Sequence, residues 1–281
     1  MGLPVVVQVG LASAAGFASF RLLLGRFAKV NAGTFFPASV RGQPLKENRW
    51  LNILVSLLHS CISALGCILC LLGVQSTSGW GDLVNFGDSS FYPQLLMSFC
   101  CGIRAGYFIY DGIDLTLHNL NTVGLILHHV LIAGFFLLSI SLKKYTLFMF
   151  PGLISELNSV LLHSRTLMKM ASMNASSFIY RLNHLLLVIT LLLTRTAVHG
   201  WILWRVFTDW HLFPDGGAWQ PLLAATGMLV MHAINFQLLW SLCSAEGALL
   251  WPTPNHRGEK KNDNKNTHEA FLEVNLKRKE E

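Results

Sequence analysis

Residues 122–142 read TVGLILHHVLIAGFFLLSISL, an apolar run whose only ionisable groups are the adjacent His128 and His129. A helix of about 20 apolar residues spans the hydrocarbon core of a bilayer. Ionisable side chains inside such a segment are costly to bury, so they turn toward a protein interior or a water-filled cavity. The run therefore predicts a membrane-spanning helix and an inward-facing polar pair that other helices must surround.

The rest of the chain supplies those helices. It is 52% hydrophobic and 13% charged, against about 25% charged residues in an ordinary soluble domain. Further apolar runs lie at roughly 3–24, 51–74, 92–117, 145–163, 182–204 and 221–243. The expected fold is an all-α, polytopic transmembrane bundle of six to seven spans. The count turns on the fifth run, where Pro151, Gly152 and Glu156 fit either a span or a re-entrant segment. The first run has no basic stretch before it and is followed by Arg21 and Arg26, which fits an uncleaved signal anchor. All six cysteines fall inside the runs, where no disulfide framework is expected.

Charge orients the bundle. Fourteen Lys and Arg residues fall in the 25–50 loop, at Arg165 and Lys169, and in the tail, against three (Lys143, Lys144, Arg205) in the alternate loops. The positive-inside rule then puts the N-terminus outside and the tail in the cytosol. The formal net charge of +6 follows from this bias and gives no reason to expect a nucleic-acid partner. The tail from Asn255 is polar and reads as disordered. Its end, Lys277-Arg278-Lys279-Glu280-Glu281, resembles a dilysine-type retrieval signal to the endoplasmic reticulum, and reads more simply as a solvated charge run. The only glycosylation sequon, at Asn174, lies in a loop expected to face the cytosol, and should stay unmodified.

Polar residues recur at helical spacing. Arg104, Tyr107, Asp111, Asp114 and His118 are separated by 3, 4, 3 and 4 residues, which stacks them on one helix face. Gly152, Glu156, Ser159 and His163 make a similar stripe. His184, Arg195 and His199 share about one face of the next span; His59, His232 and Asn235 add to the set. Such residues serve either as interhelical pins or as the lining of a polar site for a lipid head group or thioester.

The histidine pair has definite chemistry. A neutral imidazole nitrogen attacks a thioester, or takes the proton of an attacking amine or hydroxyl. Either role wants a neighbour to fix the ring's tautomer, and Asp111, Asp114, Glu156 and Asn158 are the candidates. Adjacent helical residues diverge by about 100°, so one histidine can face a cavity while its neighbour meets another helix. Metal ligation by His128, His129 and His163 is disfavoured, because helical metal pairs prefer i, i+3 or i, i+4 spacing. No metal or cofactor is expected. A P-loop, a Gly-rich nucleotide motif and a nucleophilic Ser motif are absent from the sequence.

Several stretches together resemble the TLC domain, the membrane module shared by ceramide synthases and the TRAM and CLN8 proteins. They are Arg49 to Ser56 with His59-Ser60, the pattern G-Y-F-I-x-D-x-x-D from Gly106 to Asp114, the pair His128-His129, and E-L-N-S-x-x-L-H-x-R from Glu156 to Arg165. Tyr180-Arg181-Leu182-Asn183 and Thr194-Arg195 also fit. The combination is most similar to the branch of TLC domain-containing proteins 1 and 2. It divides the chain into a signal-anchor span with its loop (1–40), a TLC domain (41–243) and a cytosolic tail (244–281).

For ceramide synthases the resemblance implies acyl transfer from coenzyme A to a sphingoid base. There the second motif carries His-Asp and further Asp residues; here the comparable stretch reads Glu156-Leu157-Asn158, with no Asp in the fifth run. The similar branch implies membrane lipid homeostasis instead: control of phospholipid acyl composition and fluidity, limiting polyunsaturated chains, at the plasma membrane. The expectation is a lipid or acyl-coenzyme A bound near His128 and His129. Arg104, Tyr107, His163, Arg195 and His232 would contact it. Two alternatives stand beside this one. An acyltransferase would use His128 or His129 with Asp111, Asp114, Glu156 and Asn158. A helper or receptor would act on other membrane proteins.

Overall fold

The computed structural model describes residues 5–77, 91–142, 153–208 and 219–250. Every regular element among them is helical: α1 Val5–Val30, the single turn α2 Ala32–Phe35, α3 Pro44–Thr77, α4 Phe91–Leu117, α5 Val123–Leu142, α6 Glu156–Met170, α7 Phe178–Thr190, a π-helical segment Leu191–Ala197, α8 Val198–Thr208 and α9 Trp219–Leu250. Four helical stretches, Val7–Val30, Pro44–Leu69, Phe178–Thr208 and Pro221–Ser244, are long and apolar enough to cross a membrane; Val123–Phe136 is a shorter apolar helix. The tail signal and Lys143-Lys144 lie outside the described residues.

Helix ends are set by capping chemistry that hydropathy alone does not register. α3 begins at Pro44, seven residues before its apolar run. Proline suits the first helical position, where its missing N–H costs nothing. The Gly42 N–H donates to the Glu47 carboxylate at 2.7 Å. Gly42 sits at φ 75°, a left-handed conformation that glycine adopts without strain. α1 continues to Val30, where the Asn31 amide donates to the Phe27 carbonyl at 3.0 Å. The largest departure is the fifth run. Its described helix starts at Glu156 and carries Arg165 and Lys169 on its last turns, so these two charges belong to a helix and not to a loop. Basic side chains near a helix C-terminus meet its partial negative charge. Gly152 and the earlier part of that run lie outside the described residues.

Two close approaches hold the bundle together. Gly10, Ser13 and Ala14 of α1 face Gly102 and Gly106 of α4, and a Cβ on Gly106 would collide with the Gly10 carbonyl and the Ser13 side chain. Ser13 Oγ donates to the Ile103 carbonyl at 2.9 Å. In a bilayer, where burial away from water drives little helix association, such small-residue seams and interhelical hydrogen bonds do the joining. On the other side, the Phe135 ring of α5 fills the space a Gly227 side chain would need on α9. Leu187 and Leu191 pack with Leu242, and Ile202 and Val206 with Ala225, fixing the sixth span against α9.

Candidate functional site

Two layers of interacting polar residues stand out in the interior. The first lies where α1 ends, α3 begins and α4 ends. Asn52 on α3 uses both amide hydrogens, donating to Asp111 Oδ1 at 2.8 Å and Asp114 Oδ2 at 3.0 Å. Arg21 of α1 approaches Asp114 Oδ1 at 3.6 Å and donates to Asn48 Oδ1 at 3.1 Å. His118 Nδ1 lies 3.3 Å from Asp114 Oδ1. His129 reaches in from α5, with Nε2 2.7 Å from Asp111 Oδ2 and Nδ1 2.7 Å from the Leu125 carbonyl. Each carboxylate therefore meets at least two donors from different helices, so the layer is charge-compensated.

The second layer lies deeper. Arg104 and Ser60 are seven and eight residues from Asp111 and Asn52, about 10–12 Å along their helices. Arg104 pairs with Glu156 Oε1 at 2.8 Å, and Ser60 Oγ donates to Glu156 Oε2 at 2.9 Å. The Arg104 guanidinium also lies 5.0 Å from the Phe136 ring centre and 5.5 Å from that of Phe108, within cation–π range. Arg195 comes from the π-helical segment. It donates to Ser159 Oγ at 2.8 Å and, at 3.4 Å, to Asn235 Oδ1. Asn235 turns its amide nitrogen to His199 Nδ1 at 3.1 Å, which makes that nitrogen an acceptor and leaves the His199 proton on Nε2. The His232 ring stands edge-on to His199 at 6.1 Å.

Between the layers sits the histidine pair, and its members differ. Both neighbours of His129 are acceptors, so one proton sits on Nδ1 and another lies in the bond to Asp111. Neither nitrogen offers a lone pair. His128 Nδ1, by contrast, is buried and has no hydrogen-bond partner among the described residues. Its ring meets the rings of His129 at 5.7 Å and Phe108 at 5.8 Å.

The remaining sequence candidates take other places. Asn158 is fully buried and points away from the pair, donating to the Leu187 carbonyl at 2.9 Å and Thr190 Oγ1 at 3.0 Å. Tyr107 stacks flat on His59, with ring centres 3.6 Å apart. His163 and His232 are half-buried, and His163 joins neither layer by a hydrogen bond. Arg21 and Asn52 were not anticipated as members of the site. Arg21 looked like a flanking charge, and Asn52 stood out only inside a motif. No group of three or more His, Cys, Asp or Glu side chains among the described residues is arranged to hold a metal ion.

A family model described as the TLC domain matches residues 49–244. The chain belongs to the TLC domain family. Among its relatives, TLC domain-containing protein 2 of Danio rerio is 28% identical over 200 residues, which cover 70% of this chain and 76% of that protein. TLC domain-containing protein 1 of Mus musculus is 30% identical over 169 residues, which cover 59% of this chain and 64% of that protein. The TLC match contains every member of both polar layers except Arg21, which α1 contributes, and Asn48, which lies one residue before the match.

Proposed function

We propose that this TLC-family membrane protein maintains lipid homeostasis: it sets phospholipid acyl composition, and so fluidity, by holding a lipid or acyl-coenzyme A against its polar interior. Its site of action is the plasma membrane. The observation that supports this most is the asymmetry of the histidine pair. His129 is locked by Asp111 and Leu125, while His128 brings a buried, unsatisfied nitrogen. A buried polar atom without a partner is costly in an apolar setting, and a bound polar ligand removes that cost.

The test is a phospholipid acyl-chain profile of cells lacking the protein. They are rescued with wild type, His128→Ala or His129→Ala at matched folded abundance. Loss of rescue by His128→Ala supports the reading. An unchanged profile on deletion overturns it. The same His128 nitrogen favours one second reading, an acyltransferase in which that nitrogen takes the proton of an attacking amine or hydroxyl. Purified protein that consumes no acyl-coenzyme A with amine or lysophospholipid acceptors refutes that reading alone.

A further inference from the structure

Among the described residues, the deeper polar layer contains two buried guanidiniums, Arg104 and Arg195, but one carboxylate, Glu156. Glu156 lies in electrostatic range of both, yet its two oxygens are occupied by Arg104 and Ser60. Arg195 is only 9% exposed, and its partners are neutral: a hydroxyl and an amide oxygen. Its Nε–H has no acceptor among the described residues. Nearby His199 offers an N–H at Nε2 and no charge to oppose it. A buried guanidinium with no direct ion pair among the described residues is expensive to keep charged. Arg195 also lies on the π-helical segment of the sixth span, a local widening that recurs at functional sites.

We infer that Arg195 is the anchor for the singly charged oxyanion head of a long-chain lipid, a carboxylate or a phosphodiester. This deepens the proposed lipid-binding reading and rests on it. One negative charge would balance the layer, whereas a neutral head would leave Arg195 as it is. A planar guanidinium with a spare N–H suits two-point recognition of an oxyanion. Ser159 and Asn235 hold its other nitrogens, so they position Arg195 from α6 and α9.

The experiment uses the full-length protein in neutral detergent and two matched ligand pairs: oleate against methyl oleate, and dioleoylphosphatidylglycerol against dioleoylglycerol. Binding is read by native mass spectrometry and by competition. The anion of at least one pair should bind about tenfold or more tightly than its neutral partner, as expected for a buried charge-assisted contact. Which pair shows the preference identifies the head group. Arg195→Gln should abolish that preference, and Arg195→Lys should restore part of it. The ligand comparison needs no variant and so does not depend on how Arg195→Gln folds. Equal binding of charged and neutral partners overturns the Arg195 assignment and leaves the lipid-binding reading standing. Binding of none of the four overturns both. A charge preference that survives in folded Arg195→Gln moves the anchor elsewhere and overturns this proposal.

Discussion

The two polar layers use the same residue types and end in different electrostatic states. Near the ends of α1 and α4, the carboxylates of Asp111 and Asp114 are bridged by Asn52 and met by Arg21, His118 and His129. About 10 Å deeper along α4, Arg104 takes the carboxylate of Glu156 and Arg195 is left with neutral partners. A closed network rigidifies a bundle and specifies helix register. A network with one cation left over keeps a cost that no other group among the described residues removes. The contrast separates a layer closed on itself from one with a cation left over, and stability measurements on substituted proteins can break it.

The largest effect belongs to Glu156. Glu156→Gln removes the carboxylate paired with Arg104 and leaves two buried guanidiniums together. Leaving one member of a buried pair unpaired costs about 3–5 kcal/mol, so folded yield and detergent-phase melting temperature should fall sharply. A near-neutral result would mean that Arg104 relies on other partners, and the deeper layer would lose its charge argument. Asn52→Leu comes next. It strips a donor from each of two buried carboxylates, and a lost partner on a buried polar group costs about 1–3 kcal/mol, more when the group is charged. Asn52→Asp should be worse than Asn52→Leu, because it adds a third carboxylate. If the two substitutions behave alike, the amide is not acting as the bridge.

Much of this was legible in the sequence, because period and hydropathy report on faces and spans. The spacing of Arg104, Tyr107, Asp111, Asp114 and His118 predicted one face of α4; the first four are buried, and His118, just past the helix end, is half-buried. What spacing cannot convey is depth relative to other helices. One stripe therefore supplied two layers, and Arg104 and Asp111 acquired different partners. Arg21 was hidden for the same reason, since a charge near the end of an apolar run looks like a flank until α1 packs on α4. The seam responsible, Gly102 and Gly106 against Gly10, is a pattern of absent side chains, which hydropathy does not record. Gly106→Ala tests it. The added methyl meets the Gly10 backbone, and overpacking of this kind costs about 1–3 kcal/mol. Because α1 delivers Arg21, the same change should make stability less sensitive to loss of Arg21. Additive effects of Gly106→Ala and Arg21→Gln would show that the seam does not position the guanidinium.

The smallest stability effect is expected at Arg195, where the comparison is sharpest. Arg195→Met keeps an unbranched side chain of similar length and removes the charge. Replacing a buried ionic group by an apolar one of similar shape is often neutral or stabilising. The variant loses hydrogen bonds to Ser159 and Asn235, each worth about 1 kcal/mol, and escapes the desolvation of an uncompensated guanidinium. In lipid-free detergent its stability should lie within about 1 kcal/mol of wild type, or above it. Measured beside Glu156→Gln, the two substitutions should differ although they sit in one layer, because one removes the counter-charge of Arg104 and the other removes a guanidinium with neutral partners. If Arg195→Met is as damaging as Glu156→Gln, Arg195 is a structural pin like Arg21, and the two layers are of one kind. If it melts at or above wild type, the chain retains a buried cation that its own stability does not need.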